Sequence, residues 1–289
     1  MRVLAKVGGF LATLLVSAAV AHGSVAPLGK AAASPSSLRA IRVWSKALDR
    51  VVRVVVYLPA GYDPSARGYP TLYLLHGVPG TPDSLLGLGL RPTLDREIAS
   101  GALPPMIVVL PTGGLTPDHD SEWEDSAVDP SQRWGTFVDR DLVQDIDGRY
   151  HTLASRVHRA IAGISMGGFG AANIGLRKRD EFGTISIWSG YFEANTPSVE
   201  GPTGSTAWLY ASPLHYVPTL RPSLTRLPVH LSFYSGRQDS FFGENVRFDA
   251  LLTRLGVPHR FLAVAGGHDW AVWRAHLASE LAWIGANIA

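Results

Sequence analysis

Residues 160–168 read AIAGISMGG, and in them a short apolar run leads into Gly163-Ile164-Ser165-Met166-Gly167. The run has the length and composition of a buried strand, and the apolar spacing after Gly167 is that of a helix. Glycines on both sides of the serine permit a turn too tight for side chains, which leaves the hydroxyl exposed between strand and helix. Ser165 is therefore the candidate nucleophile. A glycine-rich turn with a capping serine is the alternative.

Strand-like and helix-like patterns alternate along most of the chain. Nearly all-apolar runs, typical of strands buried on both faces of a parallel sheet, lie at Thr71–Leu75, Met106–Leu110, His158–Gly163, Thr184–Trp188, His230–Tyr234 and Phe261–Val264. Helical spacing occurs at Trp134–Arg149, Gly167–Arg179, Asn245–Leu255 and Asp269–Ala286. Ile41–Leu48 and Val51–Leu58, with a charged turn between them, predict an antiparallel hairpin at the sheet edge. This alternation predicts an α/β class protein with the α/β-hydrolase fold, a mostly parallel, doubly wound sheet with helices on both faces.

A serine hydroxyl is a weak nucleophile near neutral pH, so it needs a histidine to take its proton and a carboxylate to orient that histidine. His268 is the candidate base, because it lies in a glycine loop between the last strand and the last helix. Asp239, just past the end of the preceding strand, is the candidate acid, and Glu244 is its rival. Asp269 is adjacent to His268 and is predicted to cap the last helix.

Acyl transfer also needs backbone N–H groups aimed at the oxyanion. The residue after the nucleophile supplies one, which is Met166 here. The glycine-containing loop His76–Gly80, after the strand Thr71–Leu75, is expected to supply the other. We assign it to Val78, because Pro79 has no N–H to donate.

The N-terminus has the pattern of an export signal. Arg2 and Lys6 precede an apolar run that ends in Ala19-Val20-Ala21, a small-x-small sequence. Residues 1–21 are predicted to be a signal peptide, residues 22–37 a flexible linker and residues 38–289 the catalytic domain. An uncleaved membrane anchor and a buried N-terminal helix are the alternatives. The leader predicts a secreted or cell-envelope protein, with membrane contact only through an uncleaved N-terminal segment.

Composition excludes several classes of protein. The formal charge is +2, and residues 1–21 contribute two cations and no acid, so no basic field exists to bind nucleic acid. Cysteine is absent, which excludes disulfides and thiol chemistry. Carboxylates cluster in Asp118–Asp125, where a metal site is conceivable, but their spacing matches no calcium loop. We predict a solvated surface loop there, no metal and no other cofactor.

Glu193–Leu227 is rich in Pro, Ser and Thr and has no clear strand pattern. A small cap or a long loop over the strand ends is predicted for it.

The sequence resembles the esterase D family, which includes carboxylesterases, feruloyl esterases, S-formylglutathione hydrolases and mycolyltransferases. The matching stretches are Tyr73–Gly77, Trp134–Phe137 with Asp141-Leu142, Ala160–Gly168, Ala211–Pro213, Ser235–Asp239 and Gly266–Trp270. The resemblance implies a Ser-Asp-His ester hydrolase with oxyanion amides, matching the residues assigned above. The substrate expected is a small-molecule or cell-envelope ester.

Two other functions stay open. A mycolyltransferase-like enzyme would pass the acyl group to a sugar or lipid alcohol, although that branch usually has glutamate as the triad acid. An inactive hydrolase fold would serve as a surface binding protein.

Overall fold

The computed structural model describes Met1, residues 34–65 and residues 67–289. The predicted signal peptide and most of the predicted linker lie outside the described residues. The last linker residues already contact the domain: Ser34 O accepts from Gly61 N at 2.8 Å, and Ser36 donates to Asp95 at 2.9 Å. Within the described residues, no helix combines the length and apolar character needed to cross a bilayer.

An eight-stranded sheet forms the centre of the fold. Its strands are β1 Ser37–Ser45, β2 Arg50–Leu58, β3 Thr71–Leu75, β4 Ile107–Pro111, β5 Arg159–Ile164, β6 Thr184–Trp188, β7 His230–Gly236 and β8 Arg260–Val264. The order is β1-β2-β4-β3-β5-β6-β7-β8. β1 and β2 form the predicted antiparallel hairpin at the edge, β2 is antiparallel to β4, and β4 through β8 are parallel. The strand predictions are confirmed, with β1 beginning and ending a few residues early.

Helices connect these strands. They are α1 Pro82–Gly87, α2 Leu90–Ala99, α3 Trp134–Thr136, α4 Val143–Arg149, α5 Met166–Arg177, α6 Pro197–Glu200, α7 Thr206–Ala211, α8 Pro213–Arg226, α9 Phe242–Leu255 and α10 Trp270–Ile288. A π-helical segment, Phe137–Leu142, joins α3 to α4, so the predicted helix 134–149 is continuous but not regular. Glu193–Leu227 has no strand, as predicted, and it contains three helices, α6, α7 and α8, which favours the predicted small cap over the predicted long loop.

The two faces of the sheet carry separate apolar cores, because successive strand residues point to opposite sides. Leu72 and Leu74 of β3 pack in the core beneath α1, α2 and α10. Tyr73 and Leu75 pack in the core beneath α5 and α9. Helices therefore cover both faces, which confirms the predicted doubly wound architecture. The carboxyl ends of β3, β5, β7 and β8 meet at one edge, and the loops that follow them build the site.

Candidate active site

Ser165 lies in a sharp turn between β5 and α5. Its backbone has φ 55° and ψ −121°, and its N–H donates to Trp188 O at 3.0 Å. A Cβ at Gly163 would lie 2.1 Å from Gly167 O, and one at Gly167 would lie 2.3 Å from Leu75 O. Only glycine fits both positions, as the sequence pattern predicts. The turn holds the Ser165 side chain at the carboxyl edge of the sheet.

His268 lies between Ser165 and Asp239. Its Nε2 is 2.8 Å from Ser165 Oγ, and its Nδ1 is 2.9 Å from Asp239 Oδ2. A carboxylate only accepts, so Nδ1 carries the proton and Nε2 is free to accept from the serine hydroxyl. The Asp239 side chain is fully buried and its other oxygen accepts from Phe241 N at 2.9 Å. The structure thus brings together all three side chains that the sequence singled out.

The two other acids considered for the triad do not contact the histidine ring. Glu244 accepts from the N–H groups of Phe192 and Glu193 at 2.9 and 3.0 Å. Asp269 caps α10 by accepting from Ala271 and Val272, which confirms its predicted role.

The two predicted oxyanion amides flank Ser165. Met166 is the first residue of α5, and Val78 lies in the loop after β3. A Cβ at Gly77 would lie 3.1 Å from Ser165 Cβ, so this loop runs directly beside the candidate nucleophile. Neither amide finds a backbone acceptor within the described part of the chain. Both N–H groups are therefore available to a ligand oxygen.

His76 anchors this loop, a role that the sequence analysis missed. Its Nε2 accepts from Gly113 N at 3.0 Å, so its Nδ1 donates to Gly77 O at 2.8 Å. Burial lowers the pKa of the His76 ring, which keeps it in this neutral form. Trp123 Nε1 donates to His76 O at 3.0 Å. The only signal in the sequence was a histidine directly after an apolar run that predicts a buried strand.

A cavity of about 150 Å³ opens beside Ser165 and His268. The loop Gly77–Gly80 forms one wall, and Trp270 and Trp273 form another. Trp273 stands edge-on to the His268 ring at 5.2 Å, while Trp270 is 45% exposed at the mouth. Neither tryptophan was predicted from the sequence to be a site residue. A larger cavity of about 320 Å³ lies near the end of α5 and includes none of the three central residues.

The acidic segment Asp118–Asp125 is not the solvated loop that was predicted. Glu122 and Trp123 are fully buried, whereas Asp118 is exposed. The hydroxyls of Tyr191 and Thr196, both distant in sequence, form hydrogen bonds with the Glu122 carboxyl. Partners so far along the chain leave no signal in the segment itself, which is why the prediction was wrong. Within the described residues, no group of three or more His, Asp or Glu side chains is arranged to hold a metal ion.

Known proteins resemble this chain along most of its length. Residues 45–284 match the family model Esterase, described as "Putative esterase". An esterase of Mycobacterium tuberculosis is 28% identical over 247 residues, covering 74% of this chain and 52% of that protein. An endo-1,4-beta-xylanase/feruloyl esterase of Xylanibacter ruminicola is 31% identical over 159 residues, covering 53% of this chain and 22% of that protein. The chain thus spans only 52% and 22% of the lengths of these two curated relatives.

A solved structure of a ferulic acid esterase matches with a TM-score of 0.76 at 28% identity, covering 88% of this chain and 99% of that one. This agreement confirms the α/β-hydrolase fold and the resemblance to the esterase D family. The family match runs from the edge hairpin into α10 and includes the loops that carry Ser165, Asp239 and His268. On this evidence, the chain belongs to the esterase family of α/β-hydrolases.

Proposed function

We propose that the chain is a serine carboxylic ester hydrolase that acts through an acyl-enzyme. Ser165 is the nucleophile, His268 the general base and Asp239 the residue that orients the imidazole. The observation that carries the proposal is the unbroken line of hydrogen bonds from Asp239 through His268 to Ser165, 2.9 and 2.8 Å long. The line ends at a hydroxyl beside a cavity and two free amides.

The reaction follows from this arrangement. Ser165 Oγ attacks the ester carbonyl carbon while its proton passes to His268 Nε2. The N–H groups of Val78 and Met166 stabilise the oxyanion, and each donor of this kind contributes about 10²–10³-fold to the rate. Collapse of the tetrahedral intermediate breaks the bond to the alcohol, which leaves with the proton from Nε2. Water then repeats the sequence on the acyl-enzyme and releases the acid.

The substrate is proposed to be a small-molecule or cell-envelope ester. Two relatives carry the names esterase and feruloyl esterase, which supports an ester as the reacting group. Initial rates on p-nitrophenyl esters of increasing chain length, and on feruloyl and trehalose esters, show which acyl groups and which alcohols the enzyme prefers. Adding acceptor alcohols separates a hydrolase, which releases mainly free acid, from a transferase, which releases mainly the new ester.

A fluorophosphonate probe tests the enzyme class. The proposal expects the wild-type protein to be labelled and to hydrolyse p-nitrophenyl acetate, and Ser165→Ala to do neither. A wild-type protein that stays unlabelled and inactive would point to an inactive binding protein. Equal labelling of both proteins would remove Ser165 from the mechanism.

Export is the proposed localisation, because the N-terminal pattern of charge, apolar run and Ala19-Val20-Ala21 is that of a signal peptide. N-terminal sequencing of the protein from the host's envelope and medium tests this. A mature chain starting at His22 supports cleavage, and an intact Met1 end in the membrane fraction supports an anchor.

A further inference from the structure

A buried acid lies behind the candidate active site. Glu122 is fully buried, and Glu122 and Trp123 hold left-handed φ values of 52° and 53°. Residues other than glycine keep this conformation only where their surroundings enforce it, and such residues concentrate at functional sites. The mechanism above does not use Glu122, so its place in the fold needs an explanation.

A chain of direct contacts connects Glu122 to the catalytic residues. The Tyr191 hydroxyl donates to Glu122 Oε2. The Tyr191 ring lies between two phenylalanine rings, 4.8 Å from Phe169 and 4.6 Å from Phe241. Phe241 in turn packs edge-on against His268 at 5.5 Å.

Phe241 contacts the catalytic acid as well as the base. Its backbone N–H donates to Asp239 Oδ1 at 2.9 Å, which leaves Oδ2 for the histidine. Asn245 Nδ2 donates to Phe241 O at 2.9 Å and to Gly190 O at 2.8 Å. Gly190 directly precedes Tyr191 in the sequence. A shift of Tyr191 would therefore be transmitted to both Asp239 and His268.

Hydrogen-bond geometry indicates that the acid cluster carries a proton. The Thr196 hydroxyl lies 2.5 Å from Glu122 Oε1, and 3.2 Å from both Asp120 Oδ2 and the amide oxygen of Asn195. A hydroxyl has one proton to donate, so satisfying both carboxyl contacts requires one carboxyl to donate to Thr196. Glu122 is the most buried of the acids here and the one that loses most by ionising.

Burial and two neighbouring acids oppose the ionisation of Glu122, and together they outweigh the two hydrogen bonds that favour it. Burial raises the pKa of its carboxyl well above the usual range, and Asp120 and Glu200 raise it further. Thr196 and Tyr191 lower it by hydrogen bonding. The nearby Arg177 guanidinium pairs with Glu124 instead of Glu122.

We propose that protonated Glu122 is a positioning residue for the catalytic site. It holds Tyr191, and Tyr191 holds Phe241. Phe241 fixes the orientation of Asp239 and His268. Loss of the Glu122 proton at alkaline pH places a carboxylate against Asp120 and Glu200, disturbs this chain of contacts and lowers kcat. The inference rests on the proposed esterase function.

Glu122→Gln tests the proposal, because glutamine has the shape of a protonated glutamate and cannot ionise. We expect the variant to keep kcat within a few-fold of wild type at pH 6–7. Wild-type kcat is expected to fall at alkaline pH. In the variant, the pH midpoint of that fall is expected to be higher by about one pH unit or more. Rates are corrected for uncatalysed hydrolysis with Ser165→Ala, at temperatures where every variant stays folded.

Glu124→Gln is the matched control, since Glu124 is an acid of the same segment that pairs with Arg177 instead of Tyr191. It should leave the alkaline limb unchanged. Tyr191→Phe removes the hydroxyl and should lower kcat while KM changes little.

Four results overturn the proposal. They are an unchanged alkaline limb in Glu122→Gln, an equal shift in Glu124→Gln, a wild-type profile without an alkaline fall, and a Glu122→Gln protein that does not fold. Each is distinct from failure of the proposed function, in which the wild-type protein itself hydrolyses no ester.

Discussion

The position of the Ser165 hydroxyl is set by the neighbours of Ser165 in the turn. Its φ of 55° is costly for a residue with a side chain, and Gly163 and Gly167 approach so closely that a Cβ at Gly163 would clash with Gly167 O. The strain turns the hydroxyl toward His268 instead of into the core. Sequence alone could predict this residue, because the flanking glycines and the strand-to-helix change are local signals.

The choice of Asp239 over Glu244 gives the sharpest prediction at the residue scale. Asp239→Asn is expected to lower kcat/KM by about 10³–10⁴-fold, because the amide favours the wrong histidine tautomer. Glu244→Gln should stay within a few-fold of wild type, since Glu244 binds the backbone of residues 192 and 193. Steady-state kinetics on one ester with both variants checks this. A large loss in Glu244→Gln alone would reverse the assignment.

The partners of the buried acids could not be predicted at this scale. Asp118–Asp125 has the composition of a surface loop, and only the folded chain brings Tyr191 and Thr196 to Glu122. His76 is similar, because its acceptor role depends on Gly113, 37 residues away. Short-range patterns predicted the nucleophile and its turn, but not the contacts that support them.

At the scale of elements, α10 begins at Trp270, two residues after His268, the candidate general base. Asp269 ends the loop and caps the helix through Ala271 N at 2.9 Å and Val272 N at 3.1 Å. The carboxylate also interacts favourably with the positive end of the helix dipole. Capping therefore fixes where the helix begins and so where His268 stands.

Asp269→Ala is expected to lower the free energy of unfolding by about 1 kcal/mol, the usual cost of losing a cap. Urea unfolding followed by circular dichroism measures it, and Asp269→Asn, which retains a capping oxygen, should lose less. We also expect a lower kcat in the alanine variant. Equal stability of the alanine and wild-type proteins would contradict the capping role.

The strands were easier to predict than the helices of Glu193–Leu227. β3 to β7 are short apolar runs buried on both faces apart from the exposed His230, and β8 is a half-buried apolar run. Composition alone marked these strands to within two residues. α8 was missed because Pro218 and Pro222 lie inside it, and proline is a strong signal against a helix. The small helices α6 and α7 lack any long apolar period. Packing against the rest of the fold, which is invisible in the sequence, stabilises them.

At the scale of the whole molecule, several acids are buried in one region. Burial raises the pKa of Glu124 and of Glu200 to about 7, and that of Glu122 well above its usual range. Between about pH 4.5 and 7 these three carboxyls therefore hold more protons in the folded protein than in the unfolded chain. Their contribution to the free energy of unfolding falls as pH rises.

The melting temperature should accordingly be higher at pH 5.5 than at pH 8, by roughly 5 °C for a protein of this size. Differential scanning calorimetry across this range measures it. Glu200→Gln, which cannot ionise, should flatten the dependence. A melting temperature that rises steadily from pH 5.5 to 8 would be inconsistent with buried, protonated acids.

The central claim is that an acyl group is carried on Ser165. Rapid acid quenching of the wild-type protein with p-nitrophenyl acetate, followed by peptide mass spectrometry, tests it most directly. The account predicts an acetyl adduct on the peptide containing Ser165, formed within the first turnover and absent from His268→Ala on that timescale. Ester turnover by wild type with the adduct on another residue, or undiminished turnover by Ser165→Ala, would contradict it.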